Sequence, residues 1–175
     1  MKKTIIGIDP GASGGIAIYT DGKATAVKMP KGADATNEYF GYLRETFENA
    51  IVFIERVSHF AGGADDAPGK KFAIAKMMEN YTILKTLLKT NSLPFCEVHS
   101  SSWQGALLTR VKGESKQIRK KRYKDYAQQH YPEVKVTLSN SDALCIVSFG
   151  RIKLEEDPDW LTGKIVGDAP KNLFN

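Results

Sequence analysis

Apolar positions come in short runs over the first third of the chain and in long periodic stretches after it. The run Lys3–Asp9 predicts a first strand, stopped by Pro10-Gly11. Gly15–Thr20 predicts a second strand and Lys23–Met29 a third. They are joined by Asp21-Gly22, a dipeptide that favours a type I′ hairpin turn. Tyr39, Tyr42, Leu43 and Phe47 recur at helical spacing within Thr36–Glu48, with Thr36 or Asn37 as the cap. Ile51-Val52-Phe53-Ile54 is continuously apolar and ends in Glu55, the pattern of a strand buried on both faces.

Arg56–Lys70 reads as a long loop, with Gly62-Gly63 and Pro68-Gly69 inside it. Loops of that length in compact domains are usually functional or mobile. Lys71–Thr90 is strongly helical. Phe72, Ala75, Met78, Tyr81, Leu84 and Leu88, together with Ile74, Met77 and Leu87, make an apolar surface wider than one core-facing stripe. Leu93–Val98 predicts a fifth strand. Ser100–Ser102 cap a short helix through Trp103 to Leu108, and Gly113 breaks the pattern. A basic helix is expected from Ser115 to Tyr131, a last helix from Ser139 to Leu154, and irregular structure beyond.

With the short helix after the fifth strand left out, the order is β-β-β-α-β-α-β-α-α. A right-handed crossover sets the fourth strand parallel to the first. The expectation is an α/β fold: a five-stranded mixed sheet in the order 3-2-1-4-5, flanked by helices. One domain spans 1–154 and a C-terminal tail 155–175, and 175 residues suit a single core.

No apolar run approaches the roughly 20 residues of a membrane span. Met1-Lys2-Lys3 leads straight into a strand, without the apolar segment of a secretion signal, so a cytoplasmic location is expected. Cys96 and Cys145 sit within apolar segments and lack zinc-ligand spacing. They read as buried free thiols of a reducing compartment. The net charge of +5 is a weak pointer to a polyanionic partner, and its distribution says more. Lys112, Lys116, Arg119, Lys120, Lys121, Arg122 and Lys124 face one acid, Glu114, over a short segment. Such a run is either a solvated helix face or a phosphate-binding one.

The candidate chemistry lies in the acids. Asp9 and Glu55 end adjacent parallel strands at the same edge, and neighbouring strands are about 4.8 Å apart. Two carboxylates so placed repel, and one takes up a proton unless a cation sits between them. A hard divalent ion such as Mg²⁺ suits oxygen ligands, and a pair of ions about 3.5–4 Å apart clamps the two reacting oxygens of a phosphodiester. Asp142, in the first turn of the last helix, is a third acid. It can equally complete a capping box with Ser139.

These residues resemble the RuvC-type Holliday junction resolvases, of ribonuclease H-like fold. The resemblance runs from about residue 3 to residue 152. It rests on Gly7-Ile8-Asp9-Pro10-Gly11, Phe53-Ile54-Glu55-Arg56-Val57, Ser101-Ser102-Trp103 with Lys112 and Ser115-Lys116-Gln117, and Ser141-Asp142-Ala143-Leu144. It implies Asp9, Glu55 and Asp142 as Mg²⁺ ligands, with Mn²⁺ as a substitute. Lys116 falls at a basic position that contacts DNA or assists near the scissile phosphate. The family commonly carries a fourth acid where this chain has Ser139. The second metal site is then held through water by Ser139 or Asn140, or is weak.

With the acids in place, Lys112, Lys116, Arg119, Lys120 and Lys124 are expected on DNA phosphates. Arg56, His59 and Phe60 follow Glu55, and Arg56 is expected as a further DNA contact. Phe60 can stack on an unpaired base or wedge a junction open, or it can fold back onto the protein. His59 is the weakest of the candidate metal or base residues. The broad helix 71–90 suggests a homodimer, since family members pair through this region and a two-fold four-way junction needs two cuts; the domain's own helices can cover it instead. The implied activity is Mg²⁺-dependent cleavage of branched DNA, four-way junctions foremost. Two alternatives stand beside it: a junction-binding domain that cuts poorly, and an ATP-binding domain of the actin and sugar-kinase type. The second needs a further phosphate-binding Asp-Gly segment, and Asp21-Gly22 reads only as a turn.

Overall fold

The computed structural model describes residues 3–11, 13–57 and 68–167. In chain order the elements are β1 Thr4–Asp9, β2 Gly15–Thr20, β3 Lys23–Lys28, α1 Ala33–Thr46, β4 Ala50–Glu55, α2 Pro68–Thr90, β5 Phe95–Val98, α3 Ser100–Leu107, α4 Lys116–His130 and α5 Ser141–Glu156. They form one sheet ordered β3-β2-β1-β4-β5. β1 runs antiparallel to β2 and parallel to β4, and β4 runs parallel to β5. Asp21 and Gly22 take φ of 53° and 80°, as a type I′ turn requires.

Side-chain alternation splits the core into two layers. Ile6 and Ile8 of β1, with Val52 and Ile54 of β4, pack with Phe40, Leu43, Tyr81, Leu84 and Leu88 under α1 and α2. Ile5, Ile51 and Phe53 face the other way, into a layer with Trp103, Tyr123, Ala127 and the buried side of α5. By the same alternation Asp9 and Glu55 belong to this second face. α5 is buried at every position from Ala143 to Gly150, as befits a helix with little polar surface to offer. It lies on β1 backbone to backbone. A Cβ on Gly7 would collide with the carbonyl of Ala143 and stand 2.9 Å from the Val147 nitrogen.

Three helices begin elsewhere than expected. α2 starts at Pro68, inside the expected loop 56–70 and three residues ahead of Lys71. α1 starts at Ala33, three residues ahead of the expected cap. Thr36 therefore lies inside it and donates its hydroxyl to the Gly32 carbonyl at 2.7 Å. α5 starts at Ser141, so Ser139 lies outside it and no capping box with Asp142 forms. The hydroxyl of Ser139 instead pairs with that of Thr137 at 2.9 Å. Ser115 caps α4 as expected, accepting from the Ile118 amide at 3.3 Å.

Beyond α5 the chain turns back over the second layer. Leu161 is fully buried, and Trp160 stacks on Phe53 with ring centroids 6.0 Å apart. Val166 pairs with Phe95 in an isolated antiparallel bridge on the outer side of β5. Among the described residues no helix is long and apolar enough to cross a membrane. Cys96 and Cys145 are buried free thiols.

Candidate active site

The parallel register of β1 and β4 pairs Ile8 with Ile54, so Asp9 and Glu55 leave the sheet side by side. Asp9 is held locally. The Gly11 amide donates to its Oδ1 at 3.0 Å. Gly14 closes over it, where any Cβ would collide with the Asp9 carbonyl and lie 2.8 Å from its carboxyl carbon. A glycine-rich bend thus lets this carboxylate turn in at a strand end, where a bulkier residue would block it. Asp142 arrives on α5, one residue before the Ala143 carbonyl that sits against Gly7. The close approach of helix and strand brings Asp142 toward Asp9.

Glu55 and Asp142 both feel the charge of Asp9. Burial, the charge of Asp9 and then that of Asp142 push the Glu55 carboxyl up to about 7, against the opposing bond from Trp103. Burial and the charge of Asp9 push Asp142 up to about 6. Asp9 itself is raised by burial, against the pull of the Gly11 amide. The charge of Lys120 opposes the rise at all three. Lys120 is therefore the cation common to the cluster.

Lys116 is exposed one turn before Lys120 and, among the described residues, makes no hydrogen bond or ion pair. Lys116, Lys120, Tyr123 and Ala127 follow one another at helical spacing. Tyr123 and Ala127 are buried, and the same stripe turns basic toward the start of α4. Arg119 and Lys124 are partly exposed on the flanks of this stripe, and Lys112 is exposed in the loop before it. Arg122 is used differently: it donates to Glu114 at 2.8 Å and to the Thr109 carbonyl at 3.1 Å, which ties that loop to α4. Arg56 donates to His99 Nε2 at 3.2 Å and lies 4.0 Å from Glu97. Phe60 and His59 lie outside the described residues.

One residue has no role in the sequence-based site. Trp103 donates its indole N–H to Glu55 Oε2 at 2.8 Å. The signal available for it was an aromatic donor in the first turn of the helix that follows β5.

Among the described residues, no three His, Cys, Asp or Glu side chains are drawn close enough to hold a metal ion as they stand. The donor chemistry nevertheless suits a hard divalent cation. Asp9, Glu55 and Asp142 offer carboxylate oxygens, partly desolvated, and the repulsion that Asp9 exerts on the other two is what such a cation relieves. The hydroxyl of Ser139, bonded to Thr137, is a much poorer donor to such a cation than a carboxylate.

The sheet order and its flanking helices are those of the ribonuclease H-like fold, in the arrangement seen in RuvC. No protein-family model matches the chain, and no curated protein does. Among solved structures it is similar to T. thermophilus RuvC in complex with a Holliday junction substrate. That likeness has a TM-score of 0.61 and 14% identity, over 94% of this chain and 99% of the other. It is also similar to a second Thermus thermophilus RuvC structure, at a TM-score of 0.51 and 13% identity over 94% and 99% of the two chains. At that identity the likeness is one of fold, and chemistry has to be argued from the side chains.

Proposed function

We propose that this protein is a divalent-metal-dependent endonuclease that cuts branched DNA, four-way junctions foremost. The observation that carries this reading is the coupling of Asp9, Glu55 and Asp142 with Lys120 at one sheet edge. The likeness to a RuvC structure holding a Holliday junction supports the choice of substrate.

Asp9, Glu55 and Asp142 would hold the ions, Mg²⁺ or Mn²⁺. When bound, these supply Lewis-acid activation of water and charge neutralisation at the leaving oxygen. The chain's own groups do the rest. The Gly11 amide occupies Asp9 Oδ1 and leaves Oδ2 for the site. Lys120 offsets negative charge and draws a phosphate to the carboxylates. The basic stripe of α4, with Lys112, Arg119 and Lys124, binds neighbouring phosphates. Lys116 then serves as a phosphate contact one turn farther out.

A two-fold junction needs two cuts, and α2 offers a face for a second copy. Phe72 is 72% exposed and Ile83 36%, opposite the stripe that buries Tyr81 and Leu88. Light scattering on wild type and on Phe72→Glu tests the dimer: a wild-type monomer at working concentration removes it.

The test of the main reading is a cleavage panel with Mg²⁺ or Mn²⁺ on synthetic four-way junctions, flaps, forks, linear duplex and RNA–DNA hybrids. Junctions are expected to be cut best. Asp9→Asn should abolish cleavage, with junction affinity within several-fold of wild type. Near-normal cutting by Asp9→Asn refutes the site. A second reading is favoured by Ser139 and by the open ligand set: a domain that binds junctions and cuts them poorly. Tight binding without cleavage in either ion selects it.

A further inference from the structure

Trp103 is 1% exposed, and its indole nitrogen lies 2.8 Å from Glu55 Oε2. An indole N–H donates and never accepts, so the bond has one direction. The ring itself is clamped. It meets Tyr123 edge-on, with centroids 5.1 Å apart and planes at 71°. Tyr123 is 6% exposed and donates its hydroxyl to the Gln104 carbonyl at 3.0 Å, which ties α4 back to α3. Lys120 lies one turn ahead of Tyr123 on the same helix. One aromatic contact therefore fixes both the donor that holds Glu55 and the helix that carries the shared cation.

We infer that Trp103 is a positioning residue for a divalent cation: its indole N–H keeps Glu55 Oε2 turned inward and leaves Oε1 as the oxygen that Glu55 offers to the ion. The inference rests on the metal-dependent reading above. It differs from a plain structural role, in which a buried indole finds whatever acceptor lies near it. In that case Trp103 is indifferent to the ion. As a positioning group it must sense the ion through the shared carboxylate, and its loss must weaken the ion's hold. Outer partners of metal ligands typically change affinity by about 10-fold or more.

The chain has two tryptophans, Trp103 and Trp160, so a ¹⁵N-labelled sample gives two indole N–H resonances. Trp160→Phe keeps a ring against Phe53 and assigns them. On Mg²⁺ titration the Trp103 resonance should move and saturate together with the heat of binding, while that of Trp160 stays. Trp103→Phe keeps the ring and removes the donor. It should weaken Mg²⁺ affinity by about 10-fold in calorimetry. A structural role predicts a lower melting temperature with unchanged affinity. Should Trp103→Phe not fold, the resonance titration decides alone. Mg²⁺ binding with a stationary Trp103 resonance overturns the inference and leaves the nuclease reading standing. No Mg²⁺ or Mn²⁺ binding by calorimetry removes the metal-dependent reading, and the inference with it.

Discussion

Asp9 is the hub of the cluster. Burial, and after it the charge of Asp9, raises both Glu55 and Asp142, so the cluster opposes folding in a pH-dependent way. Glu55 moves from an ordinary 4.5 to about 7 and Asp142 from 3.8 to about 6. The folded state thus holds protons that the unfolded chain has already lost. The contribution of these two groups to stability is complete below about pH 4 and is lost as pH rises toward about 7. For Glu55 the full loss is about 3 kcal/mol, at roughly 1.4 kcal/mol per pH unit. Without divalent ions the melting temperature should drop between pH 5 and pH 8, and Mg²⁺ should restore more of it at pH 8. Asp9→Asn removes the repelling charge, so metal-free Asp9→Asn should melt above wild type at pH 8, with a smaller gap at pH 5. A variant that melts below wild type at pH 8 contradicts the coupling.

Among the elements, the contact between β1 and α5 is the least forgiving. Gly7→Ala places a methyl group into the Ala143 carbonyl, backbone that cannot rotate away. Urea denaturation should show a loss of about 3 kcal/mol or more. Gly41→Ala is the control. Its Cβ would come only within 3.4 Å of the Asn91 side chain, inside helix α1, and it should be neutral or stabilising by up to about 1 kcal/mol. All five strands were legible, because short apolar runs punctuated by Asp, Gly and Pro are too brief for helices and suit a sheet. Helix starts were less so. Thr36 has the composition of a cap, but a threonine hydroxyl bonds equally well to the carbonyl one turn back. The acids were legible as strand-end residues, since alternation alone puts Asp9 and Glu55 on one face. The Trp103–Glu55 bond was not, because it depends on where α3 docks across 48 residues of sequence. Nor could spacing on α4 single out Lys120 from Lys116, which shares its stripe.

At the scale of the whole molecule, the two layers divide the work. The α1–α2 layer buries apolar side chains, and the α3–α5 layer supplies the acid, the donor and the cation that meet the strand ends. The positive charge of the chain is concentrated on α4 of the second layer. Junction affinity should fall steeply with salt, and neutralising Lys112, Lys116 or Lys124 should each reduce the logarithmic slope by about one. Arg122→Ala should act differently. It strands the nearly buried Glu114, 6% exposed, and should lower stability before it alters the slope.

The bridge between Val166 and Phe95 has a practical side. β5 is the last strand of the sheet, and its outer rim carries amide and carbonyl groups that Val166 partly satisfies, with N–O distances of 3.1 and 2.8 Å. A chain stopped after Glu156 would bare that rim along with the hydrophobic seat of Trp160 and Leu161. Bare strand edges recruit other chains. Such a truncation should come off a sizing column as aggregate, while a tag appended after residue 167 should leave the protein dispersed.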